Sequence, residues 1–202
     1  MAIRLFDINI KQEKKAQALG ARWDDHAKTW FIPDTIVDIN PFKKWLPNEE
    51  GFIVQRPYFV ARSKMTCLQC GKEMPLITLG AKFAKQLIYE TEEKAVWESW
   101  DVPILFNEIE FLDEEIVESL RIHYPFFQRR YCRDLESEIW GSTCIHCHTL
   151  QEEYGEFRYE ANALSPITIE MAREIRIVYF KLAFDYFISA GWEMNPLIEE
   201  VI

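Results

Sequence analysis

Four cysteines carry the chemistry most easily read from this chain. Cys67 and Cys70 stand in "CLQCGKEM", and Cys144 and Cys147 stand in "CIHCHTLQ". A C-x-x-C knuckle aims two thiolates at one point, and two knuckles supply the four soft donors of a closed tetrahedral site of the kind structural zinc occupies. The chain holds only five cysteines, so four of them in two such pairs form a pattern, and one zinc ion, Zn2+, is the expected cofactor. Seventy-three residues separate Cys70 from Cys144. The ion would therefore clamp a long stretch of chain, where a crosslink removes the most loop entropy.

Other readings of the same residues stay open. A redox pair expects its C-x-x-C at the head of a helix, whereas strand-like residues follow in "TCLQCGKEMPLITL". Two buried knuckles without metal are a further alternative. Cys132 in "RRYCRDL" reads as a buried structural thiol, and His146 or His148 could replace one cysteine as ligand. Four thiolates saturate zinc and leave no position for a reactive water. The sequence also has no Gly-rich phosphate loop, no H-E-x-x-H, no G-x-S-x-G and no deaminase H-x-E with P-C-x-x-C. The expectation is a protein that is not an enzyme.

The elements that position the knuckles can be read in outline. "IRLFDI" is strand-like, "KQEKKAQALG" is a helix closed by Gly20, and "ARWDDHAKTWFIP" is a hairpin in which Trp23 and Trp30 flank a polar turn. Both tryptophans are expected to be mostly buried as the core of this small unit. Pro41, Pro47 and Gly51 mark a turn-rich boundary. In "NEIEFLDEEIVESLRIHYPFF" the residues Ile109, Leu112, Ile116 and Leu120 keep helical spacing, which predicts one amphipathic helix with a solvated acidic face. From Ser165 as N-cap to Gly191 past the end, the apolar residues Ile169, Ala172, Ile175, Tyr179, Leu182 and Tyr186 predict a long C-terminal helix. The fold class expected is α+β. A small N-terminal ββ-plus-helix unit over residues 1–45 precedes a zinc-ribbon-centred domain over 52–202, with an acidic helical insertion and the long helix.

Two resemblances add to this reading. "LGARWDDHAKTWFIP" resembles a small domain of pattern LGA-R/K-WD followed by K-x-W-Y/F-V/I-P, attached to plasmid primase-like and other mobile-element proteins. It is carried by Leu19, Gly20, Ala21, Arg22, Trp23, Asp24, Lys28, Trp30 and Pro33. The resemblance implies a fold and a mobile-element or conflict-system setting in bacteria, and no catalytic residue. "SKMTCLQCGKEMPLITLGA" together with "RRYCRDLESEIWGSTCIHCHTLQEEYGEF" resembles a family of uncharacterised bacterial proteins pairing C-x-x-C-G-K-x-T/M-P with a later C-x-x-C-G-x-x-Q. That resemblance implies zinc. Here His148 stands where the family has glycine.

Charge narrows the partners. The net charge is −10, yet residues 51–90 hold six Lys or Arg against two Glu, while residues 91–120 hold one Lys against ten acids. Such a field repels nucleic acid and attracts a basic protein. The expected function is protein binding, most specifically an immunity-type protein that neutralises a basic toxin, with a nuclease as one candidate. Glu108, Glu110, Asp113, Glu114, Glu115 and Glu118 are the candidate partner-binding residues. The alternative is a nucleic-acid-associated zinc-ribbon accessory protein of a mobile element, drawing on the basic stretch and the Trp23/Trp30 pair. The opening "MAIRLFDINIKQEKK" has no signal-peptide h-region, and no uncharged apolar stretch is long enough for a bilayer span. A cytoplasmic protein without membrane contact is expected, in which reduced thiols favour metal over disulfides.

Overall fold

The computed structural model describes residues 2–47, 50–91, 94–151 and 163–202. The N-terminal unit contains β1 (Ala2–Arg4), α1 (Ile10–Ala18), β2 (Arg22–Asp24) and β3 (Thr29–Pro33), with the strands in antiparallel order β1-β3-β2. Gly20 closes α1 in the left-handed region at φ +100°, where a side chain would be strained. The hairpin turn is tied by Asp24, whose Oδ1 accepts from the amides of His26 and Ala27. A 3₁₀ helix, Asn40–Trp45, buries Phe42 and Trp45 against this sheet. Its polar edge is tied too: the Trp45 indole donates to Gln12 Oε1 at 3.0 Å.

The two tryptophans of the hairpin depart from expectation. Trp23 and Trp30 are cross-strand partners meeting edge to face at 5.8 Å, but Trp23 is 44% exposed and Trp30 only half-buried. The unit's core is built instead from Ile3, Leu5, Ala16, Ile32, Phe42 and Trp45. These pack in one cluster with Ile53, Leu87, Trp97 and Phe187 from the larger sheet. Because that apolar surface is already covered, Trp23 is left on the outside of the hairpin.

The rest of the chain is dominated by antiparallel strands. A long hairpin, β4 (Phe52–Thr66) and β5 (Glu73–Thr91), is followed by β6 (Lys94–Trp100), β7 (Ile104–Leu112) and α2 (Glu114–His123). Then come β8 (Phe127–Cys132), β9 (Ser137–Ser142), α3 (Ile169–Glu174), β10 (Arg176–Phe180), β11 (Tyr186–Glu193) and the short α4 (Pro196–Glu199). The strand order is β6-β5-β4-β11-β7-β9-β8, with β10 also on β4. β5 additionally pairs with β7 through Gly80↔Leu105 and Ala81↔Ile104. That contact closes β4, β5, β7 and β11 into a four-membered ring of strands. Phe52, Tyr58, Leu79, Phe106, Tyr186 and Ile188 fill its interior. Gly80 sits where the ring closes, with the Phe59 ring and the Ile104 carbonyl in the space a side chain would take.

These strands overturn the α+β expectation of a zinc-ribbon domain carrying a long C-terminal helix. Only Ile169–Glu174 is helical there, capped by Thr168, whose hydroxyl accepts from the Met171 amide. Ser165, expected as the cap, donates instead to Glu193. Gly191, expected beyond a helix end, lies inside β11 at a register shift. The physical reason is composition: "IRIVYF" and "YFISAGW" are rich in β-branched and aromatic residues, which fit a pleated surface better than a helix. β4 also offers a long edge. Its register shifts between Gln55 and Tyr58, where Pro57 lacks an amide hydrogen, so its first part pairs with β11 and its later part with β10.

The single amphipathic helix expected through Ile109, Leu112, Ile116 and Leu120 is likewise corrected. Ile109 and Leu112 belong to β7, and helix begins only after Asp113. Apolar residues spaced three and four apart are shared between the end of one strand and the start of one helix. Among the described residues, no helix is long and apolar enough to cross a membrane.

Candidate metal centre

The first knuckle is the tip of the β4–β5 hairpin. The Cys67 amide donates to Lys72 O at 2.8 Å and the Gly71 amide to Cys67 O at 2.9 Å, with Gly71 left-handed at φ +70°. The second knuckle follows β9 and repeats that geometry. The Cys144 amide donates to Thr149 O at 2.9 Å and the His148 amide to Cys144 O at 2.8 Å, with His148 left-handed at φ +62°. A bridge between Thr143 and Leu150 closes its base. His148 thus occupies the backbone position of Gly71, and its turn has the same shape.

Facing one another, the knuckles bring their sulfurs together. Cys67 Sγ lies 3.7 Å from Cys147 Sγ, and Cys70 Sγ lies 3.7 Å from Cys144 Sγ. All four sulfurs fall within 4.8 Å of one another. A disulfide would require about 2.05 Å, so these are separate thiols. Four sulfurs about 2.3 Å from a central zinc would stand about 3.8 Å apart along each tetrahedral edge, which the two observed distances match. The four cysteines could therefore hold a metal ion. Cys67 and Cys144 are buried, and Cys70 and Cys147 are half-buried.

The surrounding groups hydrogen-bond to sulfur. The His146 amide lies 3.4 Å from Cys144 Sγ, and the Gln151 side-chain amide 3.5 Å from Cys67 Sγ. The Thr149 hydroxyl stands 3.4 Å from Cys147 Sγ. Hydrogen bonding with that hydroxyl, then with the Thr149 backbone, lowers the Cys147 thiol to about 6. At Cys70 the Lys72 backbone lowers the thiol, but burial and the three neighbouring sulfurs together push it to about 11. Without a cation the cluster shares protons, because neighbouring thiolates repel; a divalent ion replaces those protons.

Gln151 and Ser142 do the most to hold the two knuckles in register, and sequence reasoning singles out neither as a functional residue. Gln151 is fully buried; its Oε1 accepts from the Leu68 amide at 3.1 Å while its amide nitrogen donates to Thr149 O at 3.0 Å. One side chain thus spans both knuckles. Ser142 Oγ accepts from the Ile77 amide and donates to the Ile77 carbonyl, pinning β9 to β5 just before the second knuckle. The sequence holds one signal for Gln151, the final position of C-x-x-C-G-x-x-Q. A motif position does not reveal which backbone amide it reaches.

The remaining candidates separate. Cys132 is buried with Leu135, Ile139 and Leu150, away from the four-cysteine group. His146 Nε2 lies 3.1 Å from Glu73 O and fastens the second knuckle to the strand that follows the first. Neither His146 nor His148 joins the ligand group. The six acids do not form one face. Glu108 and Glu110 lie on β7, Glu108 left-handed at φ +46°. Asp113 is the residue before α2 and accepts from the Phe187 amide at 2.8 Å; burial raises its carboxyl above the ordinary value despite that bond. Glu115 takes the Ala183 amide at 3.0 Å and Arg4 at 3.3 Å. Glu110, Glu114 and Glu118 remain exposed.

No curated protein and no solved structure matches the chain. Residues 6–47, which span α1, the β2–β3 hairpin and the 3₁₀ helix and end before the metal centre, match a family model described as a domain of unknown function, DUF5710.

Proposed function

We propose that this protein is a non-enzymatic binding module stapled by one structural zinc ion, and that it acts as an immunity-type protein neutralising a basic, toxin-like protein. The observation that carries the first half is the donor set: four cysteine sulfurs lie within 4.8 Å of one another, and a zinc ion held by all four would have no ligand position left for water or substrate. The sulfurs also receive the amides of His146 and Gln151, and Cys147 Sγ is hydrogen-bonded to the Thr149 hydroxyl, the kind of outer shell that fixes ligands in place. Such a site supplies folding energy and no chemistry.

The second half is supported by charge. The chain carries −10 overall, and Glu110, Glu114 and Glu118 are exposed at the end of β7 and along the outer side of α2. An acidic surface of this sort steers a basic partner and competes for the positive groove that a nuclease offers to phosphate. Asp113 and Glu115, turned to backbone amides and Arg4, serve the fold rather than the partner.

The test is co-purification with the product of the neighbouring gene, followed by stopped-flow association across a salt series. A basic partner whose association rate falls with salt, and falls further with the triple variant Glu110→Lys, Glu114→Lys, Glu118→Lys, supports the reading. A partner bound at a salt-independent rate that the triple variant leaves unchanged overturns it.

A further inference from the structure

One face of this acidic molecule carries cations beside aromatic rings. Between α2 and the β4–β10 edge runs an open cavity of about 570 Å³ whose lining includes Arg62, His123, Tyr124, Val178, Phe180 and Lys181. A second cavity of about 470 Å³ shares Arg62 and adds Lys64, Arg176 and Phe126. The two cavities thus lie on either side of one arginine. Glu174 is the acid in these linings among the described residues, and Lys64 is bridged to Glu73 at 2.8 Å.

One local conflict points to an anion. Arg62 of β4 and Arg176 of β10 are direct cross-strand partners. Like charges in that position destabilise a sheet; among the described residues neither arginine forms an ion pair, and a local rule broken in this way is a mark of function. The Arg62 guanidinium stands over the Tyr124 ring at 5.5 Å, leaving it preorganised beside an aromatic face. The two linings therefore combine cations, with Arg62 held over Tyr124, and the rings of Tyr124, Phe126 and Phe180. Acidic peptides would satisfy the cations and leave the rings unused. A single nucleic-acid strand uses both, since every base has a face that stacks and every sugar–phosphate linkage carries a charge.

We propose that this groove binds single-stranded nucleic acid. The site is independent of the acidic surface: by helical spacing Glu114 and Glu118 lie on the side of α2 opposite Ile116, Leu120 and His123. The metal centre supports the groove from one end, because Lys64 and Arg62 precede the first knuckle on β4 and the cluster fixes that hairpin tip.

The experiment titrates the zinc-loaded full chain into a labelled single-stranded DNA oligonucleotide at several salt concentrations, reading anisotropy. Arg62→Glu turns the like-charge pair with Arg176 into an opposite-charge pair. It is expected to raise the melting temperature while weakening binding about tenfold or more and making the salt dependence shallower by about 0.7 in log–log slope. A purely structural arginine cannot move those two readouts in opposite directions. Tyr124→Phe is expected to retain binding and Tyr124→Leu to lose several-fold, as stacking requires. Lys11→Glu, the same charge change on α1, should leave affinity within about threefold. Oligonucleotide affinity unchanged by Arg62→Glu, tighter binding of duplex than of single strand, or displacement by polyglutamate as readily as by unlabelled oligonucleotide each overturns the proposal. If Arg62→Glu fails to fold, Arg176→Gln reads the same loss of affinity and slope.

Discussion

The two cysteine knuckles share one hydrogen-bonding scheme and carry different residues at the one position where backbone strain arises. Gly71 takes the left-handed turn at φ +70° with open space around it, and His148 takes the equivalent turn at φ +62°. Histidine is among the non-glycine residues better tolerated there, yet it costs more than glycine. The difference teaches that the turn is imposed by what surrounds it. Paired bonds from Cys144 and His148 and the Thr143–Leu150 bridge hold the second turn, as the bonds of Cys67 and Gly71 and the Thr66–Glu73 pair hold the first, and Gln151 reaching across to Leu68 ties the two together. The two turns thus have the same supports, and the first meets the left-handed position with glycine while the second accepts a histidine there.

The largest effect tests whether the knuckles are equal partners in one site. Cys70→Ser and Cys144→Ser are each expected to lose the bound metal and more than about 5 kcal/mol of stability, since structural zinc is folding energy. Metal content by elemental analysis and chemical denaturation check this. Cys132→Ala should retain the metal and cost on the order of 1 kcal/mol. A Cys144→Ser protein that keeps its metal and its stability would break the comparison by showing that one knuckle suffices.

The knuckles bury polar atoms amid several donors, and Asp185 is the contrast elsewhere in the fold. It is buried, with the Arg56 guanidinium 3.7 Å away. Burial dominates and raises its carboxyl from 3.8 to about 7, Arg56 offsetting only part of that rise. The folded value exceeds the unfolded one, so the stability that the protonated form confers is full below about pH 4 and is lost as pH rises through about 7. Asp185→Asn is expected to flatten that window and raise stability at about pH 8 by a few kcal/mol, since each tenfold change in proton affinity on folding is worth roughly 1.4 kcal/mol. Thermal melts of both proteins across this pH range are the check.

Gln151→Leu sharpens the comparison next. The Leu68 amide loses its acceptor and Cys67 its donor, at a cost of about 1–3 kcal/mol. Metal affinity should fall with it, read by competition with a chromogenic chelator. The smallest effects have opposite signs. Gly71→Ala should destabilise by about 1–2 kcal/mol from backbone strain alone, because nothing obstructs the added methyl. His148→Gly should stabilise by about 0.5–1 kcal/mol, the relief of the left-handed turn being partly cancelled by the entropy of glycine. Equal and negligible effects at both positions would mean that the surroundings dictate both turns.

What the sequence determined by itself is local. The C-x-x-C spacing fixes which four thiols can converge, because two residues between cysteines suffice for one tight turn and no more. Gly20 fixes where α1 ends, and Asp24 the turn of the hairpin after it. The six acids and the C-terminal apolar run show the limit of such reading. Ile109, Leu112, Ile116 and Leu120 have helical spacing across a strand end and a helix start, and Ile175 to Tyr186 fit a helical pattern equally well. Only the tertiary structure decided these segments. β4 exposes an edge long enough to take β10 and β11, and an unpaired strand edge rewards β-branched and aromatic chain with backbone hydrogen bonds that a periodicity cannot reveal. The same is true of the groove: Arg62 and Arg176 are far apart along the chain, and their juxtaposition exists only because β10 returned to that edge.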